Sequence, residues 1–280
     1  MNYFNHHTHT SYCDGKGAPE AFIREAIRLE MTSIGFSAHS PLPFNNTYSI
    51  KENRLDDYKN EIRGLQKKYK KDIAVFLALE FDYVPGMSDN FNGLVNRLGL
   101  DYFIGSVHLV RSMPAGKLWF IDGPESNYTN GLSGLFNNDI RLAVTSYFEQ
   151  VSEMVCTQKP SIVGHIDKVK MHNRKRFFSE EESWYKALIK NTLNIVLKAG
   201  CIIEVNTRGI YRKRCDSLYP SIPVLKEIVK MNIPVTLSSD AHKPGELTSY
   251  FAETMVILKD IGFKSLMHFD GRLWKKSAIG

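Results

Sequence analysis

Ile73-Ala74-Val75-Phe76-Leu77-Ala78-Leu79-Glu80 is a seven-residue apolar run that stops abruptly at a carboxylate. An uninterrupted apolar run of this length reads as a strand covered on both faces, the kind that builds a parallel sheet. A carboxylate at its end, once buried, has to be paired or coordinated. The same arrangement recurs along the chain. Strands are expected near 2–5, 33–36, 74–79, 102–106, 161–164, 201–205 and 234–237. The polar groups at their ends are His7-Thr8-His9, His39, Glu80, His108, His165, Asn206 and Asp240-Ala241-His242.

Amphipathic stretches alternate with these runs and predict helices over 19–29, 55–71, 91–98, 140–159, 180–199 and 220–231, with a seventh over 247–258. Pro19 suits a first helical position. Ser179 before Glu180-Glu181-Glu182 suits an N-cap, and Gly200 a C-terminal stop. Seven β/α units predict an α/β fold, a distorted, TIM-like seven-stranded (β/α)7 barrel in which strand C-termini converge on one face. No linker or repeat divides the chain, so residues 1–280 are expected to form a single domain. The stretch 110–138, rich in Gly, Asn, Ser and Pro, is expected to be a long lid or binding loop.

Composition narrows the function classes. The chain has 280 residues, 43% hydrophobic, with nine histidines and a net charge of +6, which favours an anionic partner. The four cysteines (Cys13, Cys156, Cys201, Cys215) form no CxxC pair, against a zinc ribbon or a disulfide framework. With neither an apolar span nor a signal-like N-terminus, the expected location is cytoplasmic and no membrane partner is expected.

One histidine at a strand end is ordinarily just a hydrogen-bonded side chain. Six of them on one barrel face, with Glu80 and Asp240, are a metal site in the making. In His7-x-His9 and Asp240-x-His242 the period of two turns both side chains of each pair to the same side. Six imidazoles and two carboxylates exceed the four ligands of one tetrahedral ion, so two or three divalent ions are expected. This donor set suits Zn, Mn or Fe better than Mg.

These residues, in the contexts His39-Ser-Pro, Leu-Glu80-Phe-Asp-Tyr, Gly-Ser-Val-His108, Gly-His165-Ile-Asp, Glu-Val-Asn206-Thr and Ser-Asp240-Ala-His242, resemble the polymerase and histidinol phosphatase (PHP) superfamily. The chain is most similar to its monofunctional histidinol-phosphatase branch. The resemblance runs over nearly the whole chain. It implies the PHP fold, a trinuclear metal centre and hydrolysis of a small phosphate monoester, with L-histidinol phosphate from histidine biosynthesis first among the candidates. It also implies a ligand partition: His7, His9, Glu80 and Asp240 at one ion, His39 and His108 with Glu80 at a second, and His165 and His242, with Thr10 after His9, at a third or in a bridging role. Two positions depart from the family pattern. Asn5 stands where many members have Asp, and Gly15 where many have a metal-binding His or Asp. Asp14, one position early, is the candidate ligand in its place.

Metal ions would make water a nucleophile near neutral pH, and Asp240 or His242 is the expected proton donor to the leaving alkoxide. The phosphate calls for cations besides the metals. Arg208 and Arg174 are the expected clamps, with Asn206 beside them, whereas Lys175 and 212–214 read as solvated surface. Tyr211 and the loop around Trp119 are candidates to flank a small organic group. Nucleic acid is disfavoured because no aromatic residues interleave with Lys and Arg along a groove. An amidohydrolase shares the opening HxH but suits Glu80 and the closing Asp-x-His poorly. A non-catalytic metal protein would be richer in Cys. His6, His172 and His268 are left without a role.

Overall fold

The computed structural model describes residues 3–113 and 115–279, so Asn2 of the expected first strand and Pro114 of the expected loop lie outside the described residues. In chain order the elements are β1 (Phe4–Asn5), α1 (Pro19–Arg28), β2 (Ser33–His39), α2 (Leu55–Lys68), β3 (Ala74–Asp82), α3 (Phe91–Leu98), β4 (Ile104–Ser106), β5 (Leu109–Arg111), β6 (Leu118–Phe120), α4 (Glu125–Phe136), α5 (Ile140–Gln158), β7 (Ile162–Val163), α6 (Ser183–Ala199), β8 (Ile202–Asn206), α7 (Arg208–Tyr211), α8 (Ile222–Lys230), β9 (Val235–Ser238), α9 (Phe251–Ile261), β10 (Ser265–Phe269) and β11 (Trp274–Ala278).

Seven parallel strands form one sheet in the order β1-β2-β3-β4-β7-β8-β9. The two edge strands are not paired along their length. They meet just beyond their ends through a parallel Thr8–Ala241 bridge, where His9 N donates to Ala241 O at 2.8 Å and Ala241 N to His7 O at 3.2 Å. Closure therefore occurs at the C-terminal rim, between the two expected ligand segments. It makes the sheet a nearly closed, distorted barrel.

Strand alternation divides the residues between two environments. Val75, Leu77, Leu79 and Phe81 of β3 join Ile34 and Phe36 of β2 in the core shared with the helices. Phe76 and Ala78 fall instead in a separate apolar cluster with Tyr102, Ile104, Ile162 and Phe269. Phe269 and Trp274, on the antiparallel β10–β11 hairpin, help to close the N-terminal end of the barrel; this hairpin is absent from the expected elements although Asp270-Gly271 marks its turn. Gly35 is required where β2 passes this floor. A Cβ there would lie 1.8 Å from the Tyr102 hydroxyl, which donates to His6 O at 2.6 Å.

Three expectations about local structure change. The stretch 110–138 is not one loop, since it holds the β5–β6 hairpin and α4. Trp119 itself is buried against Tyr128 and Phe136, with Nε1 donating to Tyr128 O at 2.9 Å, and it is the neighbouring Phe120, Asp122 and Gly123 that bring this loop to a cavity wall. Ser179 does not cap α6, which begins four residues later. The Glu182 carboxylate instead folds back to accept from Ser179 N at 2.8 Å.

Candidate metal centre

Glu80 stands at the middle of the C-terminal face. Its Oε2 lies 3.1 Å from His7 Nε2, 3.3 Å from His9 Nε2 and 3.2 Å from His39 Nδ1, while Oε1 lies 3.0 Å from His165 Nε2 and 3.8 Å from His108 Nε2. Asp240 joins from the last strand, with Oδ1 3.3 Å from His9 Nε2 and 3.8 Å from His7 Nε2. Its backbone sits in the left-handed region at φ 52°, a conformation Asp tolerates better than most residues. The turn brings its carboxylate back over the barrel axis.

These contacts are not ordinary hydrogen bonding. His7 Nε2, His9 Nε2, His39 Nδ1 and Asp240 Oδ1 are all buried and have no hydrogen-bond partner among the described residues. Orphaned atoms of this kind are costly unless something binds them. Ligand bonds of 2.0–2.2 Å around a tetrahedral ion place neighbouring donors roughly 3.3–3.6 Å apart. The spacings around Glu80 bracket that value, so the residues present fit divalent metal.

Charge points the same way. Burial alone would lower the pKa of His7, but Glu204, Glu80 and Asp240 push it up to about 10. Burial would raise Glu80 and Asp240, yet the surrounding imidazoles, and Arg208 beside Asp240, hold both far below the usual carboxylate range. The cluster has an unmet demand for positive charge.

Three groups of donors emerge. His7, His9, Glu80 and Asp240 converge as expected. His165 turns to Glu80 and His108, its Nε2 lying 3.2 Å from His108 Nε2. His242 Nε2 lies 3.2 Å from Asp14 Oδ2, and His39 Nε2 lies 3.9 Å from Asp14 Oδ1. The expected pairing of His165 with His242 does not occur, because the two face different partners. His39 belongs to two groups, with one ring nitrogen toward Glu80 and the other toward Asp14. The 10–17 loop can present Asp14 because residue 15 is glycine: a Cβ there would fall 2.1 Å from His9 O.

A layer of partners orients these ligands, and its carboxylates are absent from the residues expected at the site. Glu204 Oε1 accepts from His7 Nδ1 at 2.5 Å and from the Ser238 hydroxyl. Its Oε2 accepts from His165 N at 2.7 Å and Asn206 Nδ2 at 3.1 Å. Asp82 accepts from His108 Nδ1. Such carboxylates fix the tautomer that leaves the opposite nitrogen free for metal. Period two was the available signal, since Asp82 follows Glu80, and Glu204 precedes Asn206, by two residues. Asn206 is fully buried within this layer, reaching Asp240 Oδ2 at 3.3 Å. His242 Nδ1 lies 3.0 Å from Asp240 O, which fixes its proton there and turns Nε2 toward Asp14 as a lone pair.

Beside the cluster is a cavity of about 210 Å3, whose walls include Lys168, Arg208 and Arg214, Asp122, and the aromatic residues Tyr48 and Phe120. Arg208 donates through Nη1 to Asp240 O at 2.8 Å and lies 3.8 Å from Glu246. Lys168 Nζ pairs with Asp122 at 2.7 Å, and Arg214 reaches the same carboxylate at 3.2 Å. Arg174, the other expected clamp, is exposed and does not line the cavity, whereas Arg214, read as surface, does. Tyr211 is tied to Ser239 O at 2.9 Å.

The PHP domain model matches residues 5–208, from the strand before the first histidines to Arg208. The chain belongs to the PHP domain family. Among curated relatives, it is 27% identical to a probable histidinol-phosphatase of Deinococcus radiodurans over 93% of this chain and 94% of that one. It is 28% identical to a probable histidinol-phosphatase of Schizosaccharomyces pombe, covering 93% and 87%. With the histidinol-phosphatase of Bacillus subtilis the identity is 26%, covering 86% and 94%. In fold it matches a putative histidinol phosphatase from Listeria monocytogenes with a TM-score of 0.80 at 22% identity, over 90% of this chain and 99% of that one. A histidinol phosphate phosphatase from Lactococcus lactis, solved with zinc, L-histidinol and phosphate, matches with a TM-score of 0.70 at 19% identity, over 98% of each chain.

Proposed function

We propose that this PHP domain protein is a metal-dependent phosphatase that hydrolyses L-histidinol phosphate to L-histidinol and phosphate. The observation that carries the reading is the group of orphaned imidazole and carboxylate atoms around Glu80, next to a small cavity with three cations in its wall. Support comes from the relatives, three of them histidinol-phosphatases or probable ones aligned over 86% or more of the chain.

The donor groups suit up to three ions: His7, His9 and Asp240 with Glu80 at one, His39, Glu80 and His108 with His165 beside them at a second, and Asp14, His39 and His242 at a third, His39 offering one ring nitrogen to each of the last two. Zinc, manganese and iron all suit this set. When bound, such ions lower the pKa of water and neutralise phosphoryl charge. The side chains do the rest. Arg208, Lys168 and Arg214 draw in the dianionic phosphate, and a guanidinium is the kind of group that can grip two of its oxygens. Asp240, ionised and with Oδ2 turned toward Asn206 and Arg208, takes the proton given up by water and passes it to the leaving alkoxide. In this reading His242 is a ligand, its Nδ1 proton donated to Asp240 O and its Nε2 turned toward Asp14. At about 210 Å3 the cavity is far smaller than the extended, aromatic-lined groove that a polynucleotide needs. Among the described residues no helix is long and apolar enough to cross a membrane, and a biosynthetic role fits a cytoplasmic site of action.

A panel of phosphate monoesters assayed with Zn or Mn, beside metal analysis of the protein, tests this reading. L-histidinol phosphate should give the highest kcat/KM. A preference of about tenfold or more for another ester would overturn the substrate while leaving the chemistry.

A further inference from the structure

Tyr48 lies on the segment between β2 and α2, at the wall of the cavity. Two aromatic contacts hold its ring: an edge-to-face packing on His39 with centroids 5.2 Å apart, and a nearly parallel approach to Phe120 at 5.9 Å. Its backbone is pinned as well, since Asn46 Oδ1 accepts from Tyr48 N at 3.1 Å and from Ser49 N at 2.8 Å. The hydroxyl at the end of this fixed ring is buried and makes no hydrogen bond among the described residues. A buried, unpaired phenol is a cost that the folded protein carries without evident structural return. At neutral pH a phenol is protonated and can donate. Burial, and after it the Asp82 carboxylate, keep the phenol protonated, and Asp82 Oδ2, itself buried without a hydrogen-bond partner among the described residues, is the acceptor on the protein side; a phosphoryl oxygen seated in the cavity is the competing one.

We propose that the Tyr48 hydroxyl donates a hydrogen bond to a non-bridging oxygen of the bound phosphoryl group, on the wall of the cavity formed with Phe120. The assignment rests on reading the cavity as a phosphate-ester site, and it extends that reading by adding a neutral donor to the cations Lys168, Arg208 and Arg214. Tyr48 thereby becomes a substrate-contacting residue with no part in holding metal.

The Tyr48→Phe variant keeps the ring and its packing and removes only the oxygen. Four quantities are compared with the parent: metal content, the thermal midpoint without phosphate, the affinity of the zinc-loaded protein for inorganic phosphate by calorimetry, and kcat/KM for L-histidinol phosphate. Metal content should be equal and the midpoint equal or higher, because an unpaired buried hydroxyl has gone. Phosphate affinity and kcat/KM should both fall by roughly 10- to 100-fold, the usual worth of a hydrogen bond to a charged group. Unchanged phosphate affinity would overturn the proposal. So would a lower midpoint with unchanged affinity, which would make the hydroxyl a structural partner of Asp82, or a loss of metal. If the parent binds phosphate in a Tyr48-dependent way but fails to hydrolyse L-histidinol phosphate, the substrate reading falls and the Tyr48 assignment stands.

Discussion

His6 and His7 are neighbours in sequence and sit in opposite chemical worlds. His7 belongs to the C-terminal mouth of the barrel, where Glu204, Glu80 and Asp240 surround its ring and push its pKa up to about 10 despite burial. His6 belongs to the N-terminal floor, among Phe4, Phe76, Tyr102 and Trp274, where burial and nearby His268 push its pKa down to about 3. Both side chains are almost fully buried. The difference teaches that burial says little about a histidine's role and that the charge of the surrounding layer decides it. One end of the barrel is a lattice of carboxylates short of cations, and the other is an aromatic plug closed to any charge.

The sharpest way to break that division is to substitute along a single strand. Glu80→Gln should strip metal and cut turnover by on the order of a thousandfold or more, because Glu80 alone faces five imidazoles and its charge is shared by every ion near it. Phe76→Leu, four residues earlier on the same strand, should leave metal content and turnover per folded molecule as they were, and lower unfolding stability by about 1–1.5 kcal/mol. Loss of metal from the Phe76 variant, measured by elemental analysis, would mean that the two ends are coupled. A smaller effect is expected from the supporting layer. Glu204→Gln keeps the shape but withdraws the charge facing His7 Nδ1, and should weaken metal affinity by roughly 10- to 100-fold in a competition titration with a chelating dye. An unchanged affinity would make Glu204 a packing residue only.

Much of the mouth was legible in the sequence because parallel strands in a barrel leave little choice. A side chain just past a strand's C-terminus has to stand on the common face, so His7, His9, His39, Glu80, His108, His165, Asp240 and His242 could be placed without coordinates. Asp14 was legible only as an exception, and it took the contact between Gly15 and His9 O to show why the loop delivers it. What stayed hidden depends on packing between distant segments. Arg174 and Arg214 look alike in a string of basic residues, and only the path of each loop decides that one faces solvent and the other the cavity. Glu204 and Asp82 are ordinary carboxylates until an imidazole is seen across from them. The floor differs, because Asp270-Gly271, with Gly271 at φ 97°, does mark the β10–β11 turn, and what stayed hidden is the surface that the hairpin covers. Its partners Phe76 and Tyr102 lie more than 160 residues away in sequence.

The floor makes a quieter prediction, about stability in acid. The Phe269 backbone N–H donates to His6 Nε2 at 3.2 Å, so the neutral ring carries its proton on Nδ1. Protonating Nε2 would break that bond and place a charge among aromatic rings. The folded pKa therefore lies near 3 and the unfolded one near 6.5. Between those values the unfolded chain binds the proton and the folded chain does not. Stability is thus unaffected by this group above pH 6.5, falls as pH drops from there, and stops falling near pH 3, with a slope of at most about 1.4 kcal/mol per pH unit. His6→Phe removes the titrating group but leaves the Phe269 N–H unpaired, so the variant should be about 1 kcal/mol less stable near pH 7.5 and should lose less as the solution is acidified. Urea unfolding of both proteins in the same buffers, followed by circular dichroism, gives the two pH profiles. Parallel profiles would show that His6 already carries its proton in the folded barrel and that the floor tolerates charge after all.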